Sequence, residues 1–305
     1  MFKLTTPVAL IIFNRPDKTK IVFEEIRKAK PAELFIIADG PRKNVDKDYH
    51  LCNKTREVVE NIDWDCHVYK NYSEINLGTR VRPSSGLEWV FTKTDEAIIL
   101  EDDCLPHPSF FEYCQTLLEH HKNNYNINMI SGSNFISKYS NKNYSYYFSV
   151  FHHFWGWATW KRSWELFDLE MKSWPALKAS KLLYQTIPDK KSAKYWETLF
   201  DDVYNGKIST SWDYQWYYSS WKNKNLAIIP SVNLISNIGF GQGATHTKNP
   251  NHIRANVPFE EIRFPLVHPP EIKSDVRVDK IEAKTIFRFT GIETIKRAIK
   301  KILGI

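Results

Sequence analysis

The sequence predicts an α/β protein with a mostly parallel central sheet flanked by helices, an aromatic-rich second half and a C-terminal amphipathic helix. Three observations carry that expectation. Short apolar runs alternate with helix-period segments through the first third of the chain, the pattern of strand-helix-strand crossovers. Polar or acidic residues follow each run directly, where open α/β sheets place their ligands. A chain of 305 residues with 42% hydrophobic content can bury a core of that size.

The elements follow in order. Val8 to Phe13 reads as the first strand, with a turn at Asn14-Arg15-Pro16 and a helix from about Asp17 to Lys30. A second strand, Leu34 to Ala38, ends in Asp39-Gly40-Pro41, and a helix containing Arg56, Val58 and Val59 comes next. Cys66 to Tyr69 reads as a third strand, a helix is expected from Pro83 to Ser85 onward, and Ala97 to Leu100 as a fourth strand running into Glu101-Asp102-Asp103. Beyond Tyr125 the pattern loses regularity, with polar stretches such as Lys138 to Tyr147, and Pro265 to Pro270 reads as a connection to a charged tail.

Composition narrows the function classes. A net charge of +7 and a pI near 9.0 favour anionic partners such as nucleotides, phosphates or anionic lipids. The basic residues are scattered and no recognition motif for nucleic acid is visible, so a nucleic-acid partner is not expected. Four cysteines without C-x-x-C or zinc spacing suit reduced thiols in a cytosolic protein. The run Val8 to Phe13 is too short for a signal peptide, and no apolar stretch reaches the roughly 18 to 20 residues that cross a bilayer. The aromatic residues, 14% of the chain, fall mostly between Tyr144 and Trp221, and two readings stand: a large aromatic core or a sugar-stacking surface.

Several constellations carry chemistry. Ile98-Ile99-Leu100-Glu101-Asp102-Asp103 is a buried-type strand ending in three carboxylates, which repel one another unless a cation or water relieves them. Mg²⁺ and Mn²⁺ take few carboxylates together with substrate phosphates, so one reading is a metal site gripping a diphosphate and the other a solvated acidic turn. Asn76-Leu77-Gly78-Thr79-Arg80, followed by Arg82, Pro83 and Gly86, reads as a basic loop entering a helix N-terminus. Free N–H groups there would suit phosphate, with Arg80 and Arg82 adding charge-assisted hydrogen bonds; a plain surface turn is the competing reading. Asp39, at a strand end, is placed to accept hydrogen bonds from a base or ribose or is an ordinary turn aspartate. Asp213, inside Ser211-Trp212-Asp213-Tyr214-Gln215-Trp216, has aromatic neighbours that suit a proton acceptor, or else it begins a helix. Gly239 to His246 reads as a glycine loop that closes over a ligand, bringing His246 to phosphate or metal, or as a loop without a role.

Taken together, the Phe13-Asn14-Arg15 strand end, Asp39, the Asn76-Leu77-Gly78 loop and Glu101-Asp102-Asp103 resemble the GT-A (Rossmann-like) fold of nucleotide-diphospho-sugar glycosyltransferases, the acidic triplet resembling their DXD motif. Glu101-Asp102-Asp103 followed by Pro108 to Tyr113, then Trp155-Gly156-Trp157, Trp212-Asp213 and the Gly239 to His246 loop, is similar to the inverting N-acetylglucosaminyltransferases of N-glycans and to bacterial hemolysin-related sugar transferases. The resemblance spans roughly residues 5 to 250. It implies that Asp103 binds Mn²⁺ or Mg²⁺, that Glu101 and Asp102 hold ribose and metal water, that Asp39 contacts the base, and that Asp213 is the catalytic base. It also implies a nucleotide-sugar donor, UDP-linked by first choice, and a glycan or lipid-linked acceptor; a sugar-nucleotide nucleotidyltransferase and a non-enzymatic carbohydrate-binding protein are the competing readings. The expected organisation is a nucleotide-sugar half (1–125), an acceptor and catalytic half of the same domain (126–264), and a linker with a basic amphipathic tail (265–305). In the tail Ile292, Ile295, Ile299 and Ile302 alternate with Lys296, Arg297, Lys300 and Lys301, the pattern of a helix lying on an anionic membrane surface or of a terminal helix docked on the protein's own core; the first reading makes a cytoplasmic protein peripheral at the inner membrane face.

Overall fold

The computed structural model describes residues 2–240 and 257–288. Its first part is a run of crossovers: β1 (Val8–Ile12), α1 (Pro16–Ala29), β2 (Glu33–Ala38), α2 (Asp46–Val58), β3 (His67–Tyr72), α3 (Gly78–Phe91) and β4 (Glu96–Glu101). β1, β2 and β4 are buried almost throughout, as parallel strands covered on both faces must be. α1 begins with Pro16 and Asp17, ends with Arg27 and Lys28, and closes on Lys30 in the left-handed region, each suited to its end of the helix dipole.

The chain continues through β5 (Cys104–Pro106), α4 (Ser109–His121), β6 (Ile127–Ser131), β7 (Tyr146–Ser149) and β8 (Trp157–Trp160). Helices α5 (Lys161–Trp164), α6 (Trp174–Ala179), α7 (Leu182–Thr186), α8 (Lys190–Tyr204) and α9 (Asp213–Lys222) follow, then β9 (Leu226–Pro230), β10 (Ile235–Asn237) and α10 (Val276–Thr285). The main sheet has eight strands in the order β3-β2-β1-β4-β8-β6-β9-β7. β8 is antiparallel to both its neighbours and β7 is antiparallel to β9, while the other pairings are parallel. The sheet is therefore mostly parallel and the α/β class is the observed one. β5 and β10 form a separate antiparallel pair.

Two local expectations are corrected. The third strand is His67–Tyr72 rather than Cys66 to Tyr69, and α3 starts at Gly78, five residues before Pro83. Pro83 lies inside the helix as its sixth residue, past the first turn, so its missing N–H removes one intrahelical bond. The aromatic half is largely core: Trp157, Trp196, Trp216 and Trp221 are fully buried, with Trp196 and Trp221 edge to face at 4.8 Å and Trp157 stacked on Trp212 at 5.7 Å. Each such ring removes about 150–250 Å² from water, a gross gain of about 4–6 kcal/mol. Phe154 and Trp155, by contrast, stay partly exposed.

Residues 265–288 pack on the domain rather than span solvent. Val267 accepts from Ser145 N (2.9 Å), Asp275 N donates to Phe148 O (2.8 Å), and Val278 of α10 enters the core. α10 also buries two acids: Asp279 accepts from Ser149 Oγ (2.5 Å) and Glu282 meets His153 Nε2 (2.9 Å). Burial holds the Asp279 carboxyl well above the usual carboxylate range. The amphipathic tail beyond residue 288 and the loop with His246 lie outside the described residues.

Candidate active site

The parallel register sets the site. Ile12 faces Ala38 across β1 and β2, and Ile11 faces Glu101 across β1 and β4, so Phe13-Asn14-Arg15, Asp39 and Glu101-Asp102-Asp103 emerge along one carboxyl edge. A cleft of about 400 Å³ opens there, lined by these residues, by Asn76, Gly78 and Arg82, and on the far side by Phe154, Trp155, Asp213 and Gly239.

Asp39 has a structural task. Its Oδ1 accepts from Gly40 N (2.9 Å) and Leu77 N (2.8 Å), and its Oδ2 from Gly78 N and Asn76 Nδ2 (3.0 Å each). The side chain thus caps α3 from 39 residues away in sequence, supplying the carboxylate that a helix N-terminus favours. The expected phosphate seat at this N-terminus is therefore filled by the protein's own anion, and Asn76 is spent on the same loop. Gly78 sits at φ +76°, a conformation that glycine adopts without a Cβ clash.

The acidic strand end is held by Arg15. Its Nη2 pairs with Asp102 Oδ1, its Nε donates to Asp102 Oδ2 (3.3 Å) and its Nη1 to Asp103 Oδ2 (2.7 Å). Phe13 N also points at Asp102 Oδ2 (3.4 Å). Burial, reinforced by the charges of Asp103 and Asp102, raises the Glu101 carboxyl well above its ordinary value; burial raises Asp102 too, against the pull of Arg15. Five acidic side chains, Asp39, Glu101, Asp102, Asp103 and Asp213, line the cleft against Arg15, Arg42 and Arg82, and the acids gathered at the end of β4 repel one another less with a divalent cation among them. Among the described residues no three His, Cys, Asp or Glu side chains converge on one metal position. A cation here would take Asp103 as its protein ligand and fill its coordination with ligand oxygens and water, as Mg²⁺ and Mn²⁺ do at phosphates.

Asp213 opens α9 across the cleft from the acidic strand end, with Ser211 Oγ donating to its Oδ1. Thr79 Oγ1 donates to Thr210 O, tying the approach to Asp213 onto the start of α3. Helix-start position and cleft-side placement, offered as alternatives by the sequence, hold together.

The remaining expected residues divide. Arg80 turns away from the cleft to Glu170 (2.9 Å) and Leu169 O (3.2 Å), a correction to its expected phosphate role. Gly86 is a packing glycine: a Cβ there would meet Ile37 Cγ2 at 2.5 Å, so it seats α3 on β2 and does not reach the cleft. Arg82 lines the cleft, but its Nη2 is bound to Asn71 O and Oδ1 (2.8 Å to the latter). Asn14 donates to Asp48 Oδ1 (2.8 Å), which Arg42 also grips. Asn237 escaped the sequence reading, and Gly239, expected only as the start of a closing loop, lies against Asp103. Asn237 Nδ2 donates to Asp103 Oδ1 (3.2 Å), and the available signal was a polar residue closing the short apolar run Leu234-Ile235.

The sequence matches no protein-family model and no curated protein. Among solved structures the chain is similar to S. aureus TarS 1-349, at 8% identity over 74% of this chain and 58% of that one, with a TM-score of 0.39. It is also similar to a UDP-glucose pyrophosphorylase complexed with UDP-glucose, at 9% identity over 49% of this chain and 64% of that one, with a TM-score of 0.27. The chain thus spans less than two thirds of either, and at these scores neither likeness bears on function.

Proposed function

We propose that the chain is an inverting glycosyltransferase that moves a sugar from a nucleoside-diphosphate donor, UDP-linked by first choice, to a hydroxyl of a glycan or lipid-linked acceptor. The observation that carries this reading is the meeting of the acidic end of β4 with Asp213 of α9 in one cleft at the carboxyl edge of the sheet. The nucleoside side is the β1–β2 edge, where Phe13 and Arg82 form part of the wall. The acceptor side is the rim of Phe154 and Trp155, which the aromatic core leaves partly exposed.

Asp213 takes the proton of the acceptor hydroxyl. The acceptor oxygen forms its bond to the anomeric carbon as the bond to the diphosphate oxygen breaks, and that oxygen keeps the electron pair. Attack from the face opposite the leaving group inverts the configuration, through an oxocarbenium-like transition state as in glycoside hydrolysis. A divalent cation at Asp103, when bound, offsets charge on the departing diphosphate. Arg15 keeps Asp102 and Asp103 oriented, and the basic C-terminal tail is proposed to bring the enzyme to an anionic membrane surface.

Calorimetry of UDP with and without Mn²⁺, on the wild type and on Asp103→Ala, tests the reading. Wild-type binding that strengthens with Mn²⁺, and a mutant that loses that gain, support it. An unchanged affinity in Asp103→Ala refutes the assignment of the cation.

A further inference from the structure

We infer that Asn237 and Gly239 are positioning residues for Asp103, the third side of a seat that Arg15 begins. The inference rests on the proposed cation role of Asp103 and says what aims its carboxylate. Asn237 is buried and its Oδ1 accepts from Gly239 N (2.8 Å). That commits the amide oxygen, so the NH₂ group has to face Asp103 Oδ1, 3.2 Å away. Arg15 Nη1 takes the other oxygen, Oδ2, at 2.7 Å. Oδ1 also takes the weak thiol donor of Cys104 at 3.5 Å, whereas Oδ2 has Arg15 as its donor and keeps lone-pair capacity for a further partner.

Glycine is required beside it. A Cβ on residue 239 would lie 2.0 Å from Asp103 Oδ2, 2.7 Å from its Cγ and 3.0 Å from Asn237 Oδ1, so either the carboxylate or the turn that carries Asn237 would have to move. The turn itself is fixed to the same strand end: Ile238 N donates to Asp103 O (2.8 Å), and Lys18 Nζ donates to Ile238 O. Asn237 is also paired across β10 and β5 with Cys104. A neutral amide suits this place because it orients the carboxylate without neutralising it. Aspartate here would repel Asp103, and alanine would leave Oδ1 with only the weak thiol donor of Cys104.

The test uses the full chain and titrates UDP, GDP, CDP and ADP in EDTA and again with Mn²⁺, on the wild type, Asn237→Ala, Asn237→Ser and Gly239→Ala. Partners that orient a metal ligand typically govern about 10- to 100-fold in metal affinity. The expected result is that the Mn²⁺-dependent gain in nucleotide affinity falls by about that factor, while metal-free binding changes far less; Mn²⁺ relaxation of water protons should report the same loss directly. If the wild type shows no Mn²⁺-dependent gain with any of the four, the cation reading fails and takes this inference with it. A wild-type gain that persists in all folded variants overturns the inference alone. Equal losses of metal-free and metal-assisted binding make Asn237 a fold residue and overturn it as well. The milder serine variant supplies the answer if a bulkier change prevents folding.

Discussion

Asp39→Ala should cost stability more than it costs ligand binding. The carboxylate accepts from the backbone N–H groups of Gly40, Leu77 and Gly78 and from the Asn76 amide. Losing a helix cap costs about 1 kcal/mol, and two further lost acceptances add about 1 kcal/mol each, for a total of about 3 kcal/mol. At about 2 °C per kcal/mol for a chain of this size, the melting temperature should fall by about 6 °C. Asp39→Asn keeps one oxygen for Gly40 and Leu77 but turns its NH₂ toward Gly78 N and Asn76 Nδ2, so it should lose about half as much. Scanning fluorimetry and urea unfolding measure both. A melting temperature unchanged in Asp39→Ala, together with a fall in nucleotide affinity, would show that Asp39 serves a ligand and refute the capping argument.

Asp213→Asn should retain donor binding and lower turnover by about 10² to 10⁴, with NMR of the wild-type product showing inverted configuration; normal turnover in the variant places the base elsewhere. Burial holds His152 and His121 neutral, with protonation pushed down to about 3 and about 4 from an ordinary value of 6.5. The unfolded chain takes up those protons below pH 6.5 and the folded chain does not, so each histidine contributes a loss of about 1.4 kcal/mol per pH unit from pH 6.5 toward 4, against an opposite contribution from the buried Glu101, Asp102 and Asp279, whose raised carboxyls hold protons in the folded chain. In urea titrations His152→Gln should therefore gain on the wild type by about 1.4 kcal/mol for each pH unit below 6.5, and a difference between the two that does not change with pH would show that His152 is not held neutral. Deleting residues 290–305 should abolish sedimentation with anionic liposomes at low salt and spare activity on a soluble acceptor, since basic residues near such a surface each contribute about 1 kcal/mol; failure of the full chain to sediment rules out the membrane role.

Much of the fold could be read in the sequence because β1, β2 and β4 are buried along nearly their whole length, which leaves uninterrupted apolar runs. The acid cluster was legible for the same reason, as charge directly after such a run. β7 and β8 were not, because their aromatic and polar letters resemble the surrounding core and their partners are remote: Trp157 faces Ile99 across 58 positions. The start of α3 was misplaced because Pro83 looks like a first-turn proline, while the true cap is Asp39 on another strand. Arg15 was assigned to a donor when its nearest anions are Asp102 and Asp103. Nor does the pattern of α10 disclose that Asp279 and Glu282 point inward, since acids on a helix usually face water.

The placing of β8 between β4 and β6 has a bearing on how the molecule is made. β4 is covered on one side by β1, but its other edge waits for a strand that leaves the ribosome almost sixty residues later. Until then Ala97-Ile98-Ile99-Leu100 is an apolar edge with unpaired backbone groups, the kind of template on which neighbouring nascent chains aggregate. A fragment ending near residue 125 should for that reason be insoluble on its own. Soluble expression should return only in fragments long enough to include β8 and the strand that flanks it on the far side.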